Sequence, residues 1–227
     1  MTSANTLLKN ILGVEGAVVQ GADFSEDVRG VKKLTIRMRP KKRESDRCPI
    51  CGRHCAVYDR SSVLRSWRAL DFAGILVYIK ACTQRISCPK HGVLVSAVPW
   101  AFHDSGFTKS FDLTATRMAG NLSRSAVAEY LRINWKTVGR CITRAQKCVE
   151  PDHSKRLDNL VNIGIDETSY RKGHKYITVI VNHDTNTVVW ACNKHGKDVF
   201  SKFLEGLTSE QRTSIKVVTG DGARWID

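Results

Sequence analysis

Two short motifs of the same form constrain this chain more than any other feature. Residues 48–52 read Cys-Pro-Ile-Cys-Gly, and residues 88–92 read Cys-Pro-Lys-His-Gly. Each motif places two metal-ligating side chains three residues apart, and the glycine that follows permits the tight turn that aims both at one ion. Because structural zinc is held by four Cys or His ligands in a tetrahedron, we expect the motifs to share one Zn²⁺. The expected ligands are Cys48, Cys51, Cys88 and His91.

Other ligands near the two motifs compete with this assignment. Cys55, Cys82 and His54 lie close by in the sequence, and we expect the two thiols to be buried or spare. The strand-like run 74–87 can return the chain as a hairpin and so bring the second motif beside the first. Five of the eight cysteines lie between residues 48 and 88 in a chain with no export signal, which indicates metal binding rather than disulfides.

The positive charge is confined to the N-terminal part of the chain. Residues 1–157 contain 27 Lys and Arg against 13 Asp and Glu, whereas residues 158–227 contain nine of each. This asymmetry predicts a polyanion-binding region joined to a region with a different task. The most basic run, residues 37–47, contains Pro40 and is predicted to be a loop whose charges contact phosphates or remain solvated.

Residues 110–149 are predicted to form three helices, the last two arranged as a helix-turn-helix. Apolar side chains recur where the two helices of such a motif pack together, and Ser123 and Asn134 are suited to cap them. Arg132 occupies the turn, where many such motifs have Gly. The apolar positions are Val127, Leu131, Ile133, Val138 and Cys141.

The second helix of this motif is predicted to run from about Trp135 to Val149 and to read double-stranded DNA. Residues near the N-terminus of such a helix contact base edges in the major groove, and flanking Arg and Lys contact phosphates. The alternative is a small helical bundle that packs against its neighbours. The expected DNA-binding side chains are Lys136, Thr137, Arg140 and Arg144.

Two carboxylates follow strand-like runs in the last third of the chain. Asp166 ends the run 159–166 and Asp221 ends the run 215–221, with two strands and a helix predicted between them. In a ribonuclease-H-like sheet these two strand ends are adjacent, so the carboxylates can hold Mg²⁺ ions at a phosphodiester. The alternative is that both aspartates are ordinary caps or turn formers. Glu167 is expected to face away from Asp166.

In these features the chain resembles the ISL3 family of bacterial insertion-sequence transposases. The resemblance extends over nearly the whole length and is most specific at residues 163–176. It implies that Asp166 and Asp221 are the first two catalytic acids of a DDE centre. It also implies that the zinc and helix-turn-helix parts recognise the terminal inverted repeats of the element, with transposases of this type acting as homo-oligomers. The matching stretches are residues 48–52, 85–92, 98–102, 106–108, 163–176 and 220–226.

The resemblance also implies a third catalytic acid, a Glu on a later helix. Because the chain stops at Asp227, we expect it to be truncated before that residue and inactive in catalysis alone. A DNA-binding product that represses transposition by occupying the element's ends is the second hypothesis. A zinc-dependent transcription regulator is the third, and the two strand-end aspartates count against it.

These expectations define an α+β multidomain fold class. Residues 1–100 are predicted to form a β-rich zinc-binding module, residues 105–150 a helical helix-turn-helix domain, and residues 158–227 a truncated ribonuclease-H-like α/β domain. Residues 1–13 resemble a short amphipathic helix rather than a secretory signal, and no apolar run of about 18 residues predicts a membrane span. We therefore expect a cytoplasmic, nucleoid-associated bacterial protein.

Overall fold

The computed structural model describes residues 4–171 and 175–220, and the chain forms two compact units, Met1–Pro151 and Asp152–Asp227. The architecture is mixed α and β, with a sheet in each unit and three helices after the first sheet. Within the described ranges, no helix is long and apolar enough to cross a membrane.

The N-terminal unit begins with a short helix and a five-stranded sheet. The strand order is β1-β2-β4-β3, and β5 pairs with β4. β3 and β4 form the predicted antiparallel hairpin, which is thereby confirmed. The elements are α1 (Ala4–Leu12), β1 (Ala17–Glu26), β2 (Lys32–Pro40), β3 (Ala56–Arg68), β4 (Leu76–Cys88) and β5 (Gly92–Val95).

Alternating apolar residues bury one face of this sheet. Trp67 and Trp100 lie in the same core, with their ring centroids 5.5 Å apart in an edge-to-face arrangement. Such a period of two is what a strand with one buried face requires. The alternating core positions on the two central strands are Leu34, Ile36 and Met38 of β2, and Val77, Ile79 and Ala81 of β4.

The prediction that the basic run 37–47 is a loop is wrong for its first part. β2 continues to Pro40, and residues Lys42–Glu44 form a 3₁₀ turn. The strand continues because the buried Met38 keeps the alternation of Ile36, so that Arg37 and Arg39 lie on the opposite, solvent-facing side. Basic side chains on alternate positions are therefore compatible with a half-buried strand.

The three predicted helices are confirmed as α2 (Lys109–Ala119), α3 (Arg124–Leu131) and α4 (Trp135–Val149). Both predicted caps are present. The Ser123 hydroxyl accepts a hydrogen bond from the Ala126 backbone N–H (3.2 Å), and the Asn134 side chain accepts one from Lys136 (2.9 Å). The predicted apolar residues pack in one cluster, whose buried members are Phe111, Ala115, Val127, Ala128, Leu131, Val138 and Cys141, with Ile133 beside them.

A network of charged groups joins the sheet to the helix-turn-helix. Arg68, the last residue of β3, donates one hydrogen bond to the Arg132 carbonyl (3.0 Å) and another to Asp71 (3.0 Å). Arg132 also binds Asp71 and the Gly74 carbonyl (3.2 Å). Arg132 has φ 54° and ψ 49°, a left-handed conformation that costs about 1 kcal/mol in a residue with a Cβ. Its side-chain contacts offset that cost.

The C-terminal unit contains a four-stranded sheet in the order β8-β7-β6-β9. β6 pairs antiparallel with β7 and parallel with β9. Ile163 and Ile165 of β6 cluster with Phe203 of α5, so the helix covers the face occupied by odd-numbered residues of that strand. The elements are β6 (Asn162–Arg171), β7 (Lys175–Asn182), β8 (Thr187–Asn193), α5 (Lys197–Glu205), α6 (Ser209–Ser214) and β9 (Val217–Gly220).

The prediction that the first strand of this unit ends at Asp166 is wrong. β6 continues to Arg171 and keeps its pairing with β7, in which Asp166 lies opposite Val179 and Ser169 opposite Tyr176. The strand continues because β7 is long enough to pair with the polar residues that follow Asp166. Asp166 therefore lies in the middle of a strand.

The imidazole of His183 lies across strand β6, on the face of the sheet that carries Asp166. The Nε2 atom of His183, just after β7, lies 2.7 Å from the Thr219 hydroxyl of β9. Gly164 of β6 lies beneath the ring, where an added Cβ would come within 2.5 Å of Nε2. Gly164 and Asp166 are two residues apart in the strand and so occupy the same face of the sheet. The glycine is needed because the imidazole occupies the space of a side chain.

We predict that Gly164→Ala destabilises the C-terminal unit by about 1 kcal/mol, because the methyl group displaces His183 and its hydrogen bond to Thr219 is lost. The same substitution in a His183→Ala background should cost much less. Chemical denaturation of the wild type, the two single variants and the double variant measures the difference. An equal loss in both backgrounds would show that the imidazole is not the reason for the glycine.

Candidate metal centre and nucleic-acid interface

The structure brings the four predicted zinc ligands together. The ligand atoms of Cys48, Cys51, Cys88 and His91 all lie within 4.8 Å of one another. Cys51 Sγ and Cys88 Sγ are 3.8 Å apart, and His91 Nδ1 lies 3.5 Å from Cys48 Sγ and 3.6 Å from Cys88 Sγ. A tetrahedron with Zn–S distances of about 2.3 Å places its sulfurs about 3.8 Å apart. The donor set and its spacing therefore fit Zn²⁺ with no fifth protein ligand needed.

Two tight turns position these ligands. The first is closed by the bonds from Cys48 N–H to the Arg53 carbonyl (2.8 Å) and from Gly52 N–H to the Cys48 carbonyl (2.9 Å). The second is the turn between β4, which ends at Cys88, and β5, which begins at Gly92. Both glycines have positive φ, 71° and 74°, as the motif predicted.

Backbone groups at the second turn favour a thiolate. Burial raises the pKa of Cys88, but the N–H groups of Lys90 and His91 and the imidazole of His91 outweigh it and lower the pKa to about 6. The first turn differs. The Arg53 N–H lowers the pKa of Cys51, yet burial and hydrogen bonding to the thiols of Cys48 and Cys88 raise it overall. A cation would relieve that mutual repulsion, because zinc binds cysteines as thiolates.

The competing ligands lie outside this cluster. The Cys55 thiol donates to the Arg53 carbonyl (3.4 Å), and the Cys82 thiol donates to the Ser62 carbonyl (3.6 Å). His54 forms an isolated bridge with Arg47. Across residues 4–171 and 175–220, the four-residue cluster is the one grouping of Cys, His, Asp or Glu with metal-ligand spacing.

The outward side of α4 carries three of the four predicted DNA-binding residues. Lys136 and Arg140 are exposed, and Thr137 is half-buried in the first turn of the helix. The Asn134 cap holds the start of α4, so these side chains project from an ordered helix end. The positive end of the helix dipole adds to their attraction for phosphates.

The prediction that Arg144 lies on the outward face is wrong. Its side chain is only 17% exposed, and its guanidinium binds Asp112 through two hydrogen bonds of 2.9 Å and 2.7 Å. Asp112 belongs to α2, is fully buried, and also accepts a hydrogen bond from Ser105 (2.8 Å). A buried carboxylate requires a partner, and Arg144 supplies it from the inward side of α4.

Sequence reasoning missed Asp112 as a structural residue. The available signal was its position next to Phe111 and three residues before Ala115, on the apolar face of α2. On α4, Arg144 lies three residues after the buried Cys141, on the apolar face of that helix. An acidic and a basic residue on two facing apolar stripes indicate a buried pair.

The acidic residues of the C-terminal unit are only partly within the described structure. Asp166 is exposed on β6, and Asp221 lies outside the described residues. The parallel pairing of β6 and β9 reaches Ile165 and Gly220, the residues that immediately precede the two aspartates in the chain. Glu167 points to the opposite face from Asp166, where its carboxylate accepts a hydrogen bond from Gly196 N–H (2.7 Å) at the start of α5.

Three family models match successive parts of this chain. One is described as the zinc-finger of transposase IS204/IS1001/IS1096/IS1165 and matches residues 44–91. A second, the helix-turn-helix domain of transposase family ISL3, matches residues 96–146. A third, also of the ISL3 family and described as a transposase, matches residues 163–227. In chain order, the three matches cover the metal cluster, the helices α2 to α4 and the sheet that contains Asp166.

Curated relatives are similar over nearly the whole chain. A transposase for insertion sequence element IS1557 from Mycobacterium tuberculosis is 41% identical over 225 residues, which are 97% of this chain and 50% of that protein. A transposase for insertion sequence element IS1001 from Bordetella parapertussis is 25% identical over 219 residues, which are 95% of this chain and 52% of that protein. The chain thus spans about half the length of the curated relatives it matches. No solved structure matches it.

We predict that Cys48→Ser removes bound zinc and unfolds the N-terminal unit, because metal binding commonly supplies the folding energy of such modules. Cys55→Ser is the matched control, since that thiol is close by but outside the cluster, and it should keep one zinc per chain. Zinc content by atomic spectroscopy and thermal unfolding measure both effects. Retention of full zinc content and stability by Cys48→Ser would contradict the assignment.

Proposed function

We propose a function from the premise that this chain belongs to the ISL3 family of insertion-sequence transposases. Its zinc ribbon and helix-turn-helix bind double-stranded DNA at the terminal inverted repeats of the element. The C-terminal sheet contributes the first two acids of a Mg²⁺-dependent centre that cuts and joins DNA strands. The full reaction requires a third acid, which in the family lies further along the chain.

The observation that carries the DNA-binding proposal is the geometry of α4. Its first turn is capped by Asn134 and presents Lys136 and Arg140 to solvent, whereas its other side is packed against α2 and α3. This is the arrangement of a recognition helix, whose N-terminal residues contact base edges and whose cations contact phosphates. The basic excess of residues 1–157 supports the same conclusion.

The proposal for catalysis rests on strand order and pairing. β6 and β9 are parallel neighbours, and the residues before Asp166 and Asp221 pair with each other. We propose a ribonuclease-H-like sheet in which these carboxylates hold Mg²⁺, a cation that prefers oxygen ligands. Bound Mg²⁺ would stabilise the attacking and leaving oxygens of a phosphodiester. The task of Asp166 is to hold the cation from an exposed position on the face opposite α5.

We further propose the domain division 1–100, 105–150 and 158–227 for the zinc-binding, helix-turn-helix and catalytic parts. The first two parts pack into one compact unit, Met1–Pro151. The charge network of Arg68, Asp71 and Arg132 supports a fixed relation between them. Action on two element ends at once favours a homo-oligomer as the working form.

A second function is repression of transposition by a DNA-binding product. The observation in its favour is that the metal cluster and α4 belong to one compact unit, separate from the unit that carries Asp166. Such a unit can occupy the ends of the element without cutting them. Repression and transposition share the DNA site and differ in whether a third acid follows Asp221 in the reading frame.

The experiment that tests DNA recognition is a gel-shift titration of the chain against end duplex and scrambled duplex over a salt series. We expect a preference for the end duplex that persists as the salt concentration rises. Equal affinity for both duplexes, lost steeply with salt, would leave only attraction between charges and would refute recognition by α4.

We predict that Arg140→Ala weakens binding to the end duplex by about 1–3 kcal/mol without changing the stability of the fold, because its side chain is exposed on α4. Arg144→Ala should instead destabilise the N-terminal unit by about 3 kcal/mol, since it leaves the buried Asp112 unpaired. Gel shifts and chemical denaturation of both variants measure the two effects. Unchanged DNA affinity in Arg140→Ala would remove this residue from the interface.

We predict that Asp166→Asn abolishes strand cleavage in a full-length family member built on this chain and leaves DNA binding intact. The amide keeps the size of the side chain but loses the charge that holds Mg²⁺. Asp184→Asn, another acidic residue of the same unit, serves as the control and should keep cleavage. Loss of end-duplex binding by Asp166→Asn would argue against a purely catalytic role.

A further inference from the structure

We propose that a basic groove on the zinc-binding part contacts the phosphate backbone of the DNA that α4 reads. The inference rests on the proposed function and deepens it by naming the surface through which the zinc-binding part contacts the DNA. The groove lies between β3 and the segment 95–109. In the described structure its cationic residues without an ion-pair partner are Arg60, Arg65 and Lys109, while Arg85 lines the groove and is paired with Asp59.

The groove consists of two adjoining hollows. Both are lined by Arg65 and Val95, and they meet there. Arg60 lines the first hollow, and Phe102 and Lys109 line the second. Together they form an elongated depression along β3.

An irregularity in β3 shapes the first hollow. The pairing of β3 with β4 shifts between Arg60 and Leu64, so that the intervening residues lie outside the regular ladder. Val63 in this stretch is 68% exposed. Bulges of this kind bend a strand and redirect its side chains. Here the bulge brings Arg60 and Arg65 closer together along the sheet than five regular strand residues would place them.

In the described structure the cations of the groove lack acidic partners, and one of its two carboxylates, Asp59, is already paired with Arg85. Within the described ranges, no carboxylate forms an ion pair with Arg60, Arg65 or Lys109. Asp59 is bound by Arg85, and Asp104 lies 3.4 Å from the His103 imidazole. The groove therefore presents a net positive field to solvent.

Aromatic rings hold two of the cations in place. The Arg65 guanidinium lies 5.8 Å from the centre of the Trp67 ring, and the Lys109 ammonium lies 6.0 Å from that of Phe102. Such contacts orient a cation without neutralising its charge. Side chains that are ordered before binding lose less entropy when they meet a phosphate.

The spacing of the cations fits a polymer of phosphates. Arg60 pairs with Gln84 and Arg65 with Ala81, three residues apart on β4, so the two arginines are about 10 Å apart along the sheet. One DNA strand rises about 3.4 Å per nucleotide, so this distance corresponds to about three nucleotides.

The groove adjoins the helices through Lys109. This groove residue is the first residue of α2, and α2 packs directly against α4. A duplex placed against α4 can therefore extend one of its backbones towards the groove.

The test is the salt dependence of DNA binding by the double variant Arg60→Gln/Arg65→Gln. Removal of two phosphate contacts should reduce the slope of log K against log salt concentration by about 2 and weaken binding equally for end and scrambled duplex. The matched control is Arg29→Gln/Lys32→Gln, which removes two exposed charges at the β1–β2 hairpin and should change the slope much less. Arg60→Lys/Arg65→Lys should keep the wild-type slope.

Zinc content and unfolding midpoints of all variants establish that each is folded. A slope in the Gln variant equal to that of the hairpin control would overturn the proposal that the groove contacts DNA. This holds even if the wild type prefers the end duplex and the proposed function stands. A selective loss of end-duplex preference would overturn it too, because phosphate contacts do not distinguish sequences. If the wild type shows no preference while the slope still falls, recognition by α4 fails and the groove remains.

Discussion

The carboxylate of Asp71 determines how the two halves of the N-terminal unit are joined. It binds Arg68 at the end of β3 and Arg132 in the turn before α4, and Arg68 also binds the Arg132 carbonyl. Isolated surface ion pairs contribute little to stability, but one carboxylate shared by two arginines, of which Arg68 is 10% exposed, fixes an orientation. Together with Leu70, which packs against the helical cluster, this contact holds α4 in position relative to the zinc-binding sheet.

Each of the two halves is also held together by polar contacts of its own. On the sheet side, the cluster of Cys48, Cys51, Cys88 and His91 closes the end of the β3–β4 hairpin that is remote from Asp71. On the helix side, the buried pair of Asp112 and Arg144 holds α4 against α2. Removal of either partner of a buried pair leaves an uncompensated charge, so the pair also restricts how α4 can rotate. Rotation of α4 would turn Lys136 and Arg140 away from solvent.

The C-terminal unit depends on a different kind of constraint, the parallel pairing of β6 with β9. Three strand pairings build its sheet, and this one connects the strand of Asp166 to the strand that precedes Asp221. The contact of His183 with Thr219, made over Gly164 of β6, links the end of β7 to β9 through side chains. A shift of one residue in this register would move every side chain of β9 to the other face.

Local patterns in the sequence determined the zinc motifs, the three helices with their caps, and the presence of strands around Asp166. These features depend on residues close together in the chain, such as two ligands and a glycine, or a capping side chain and the next turn. The confinement of the excess positive charge to residues 1–157 also followed from the sequence, because it requires only a count of charged residues. The resemblance of residues 163–176 to a known family led us to predict a catalytic role for Asp166 before any geometry was available.

The tertiary structure alone decided which way the charged residues face. Arg144 has the same helical periodicity whether it points to DNA or to Asp112, and only the packing of α2 against α4 selects the second. The basic residues of β2 and the strand beyond Asp166 were misassigned for a related reason, since their structure depends on pairing with β4 and β7. The basic groove along β3 likewise arises from residues distant in sequence. Contacts of this kind are set by the shapes of whole elements, which no short stretch of sequence specifies.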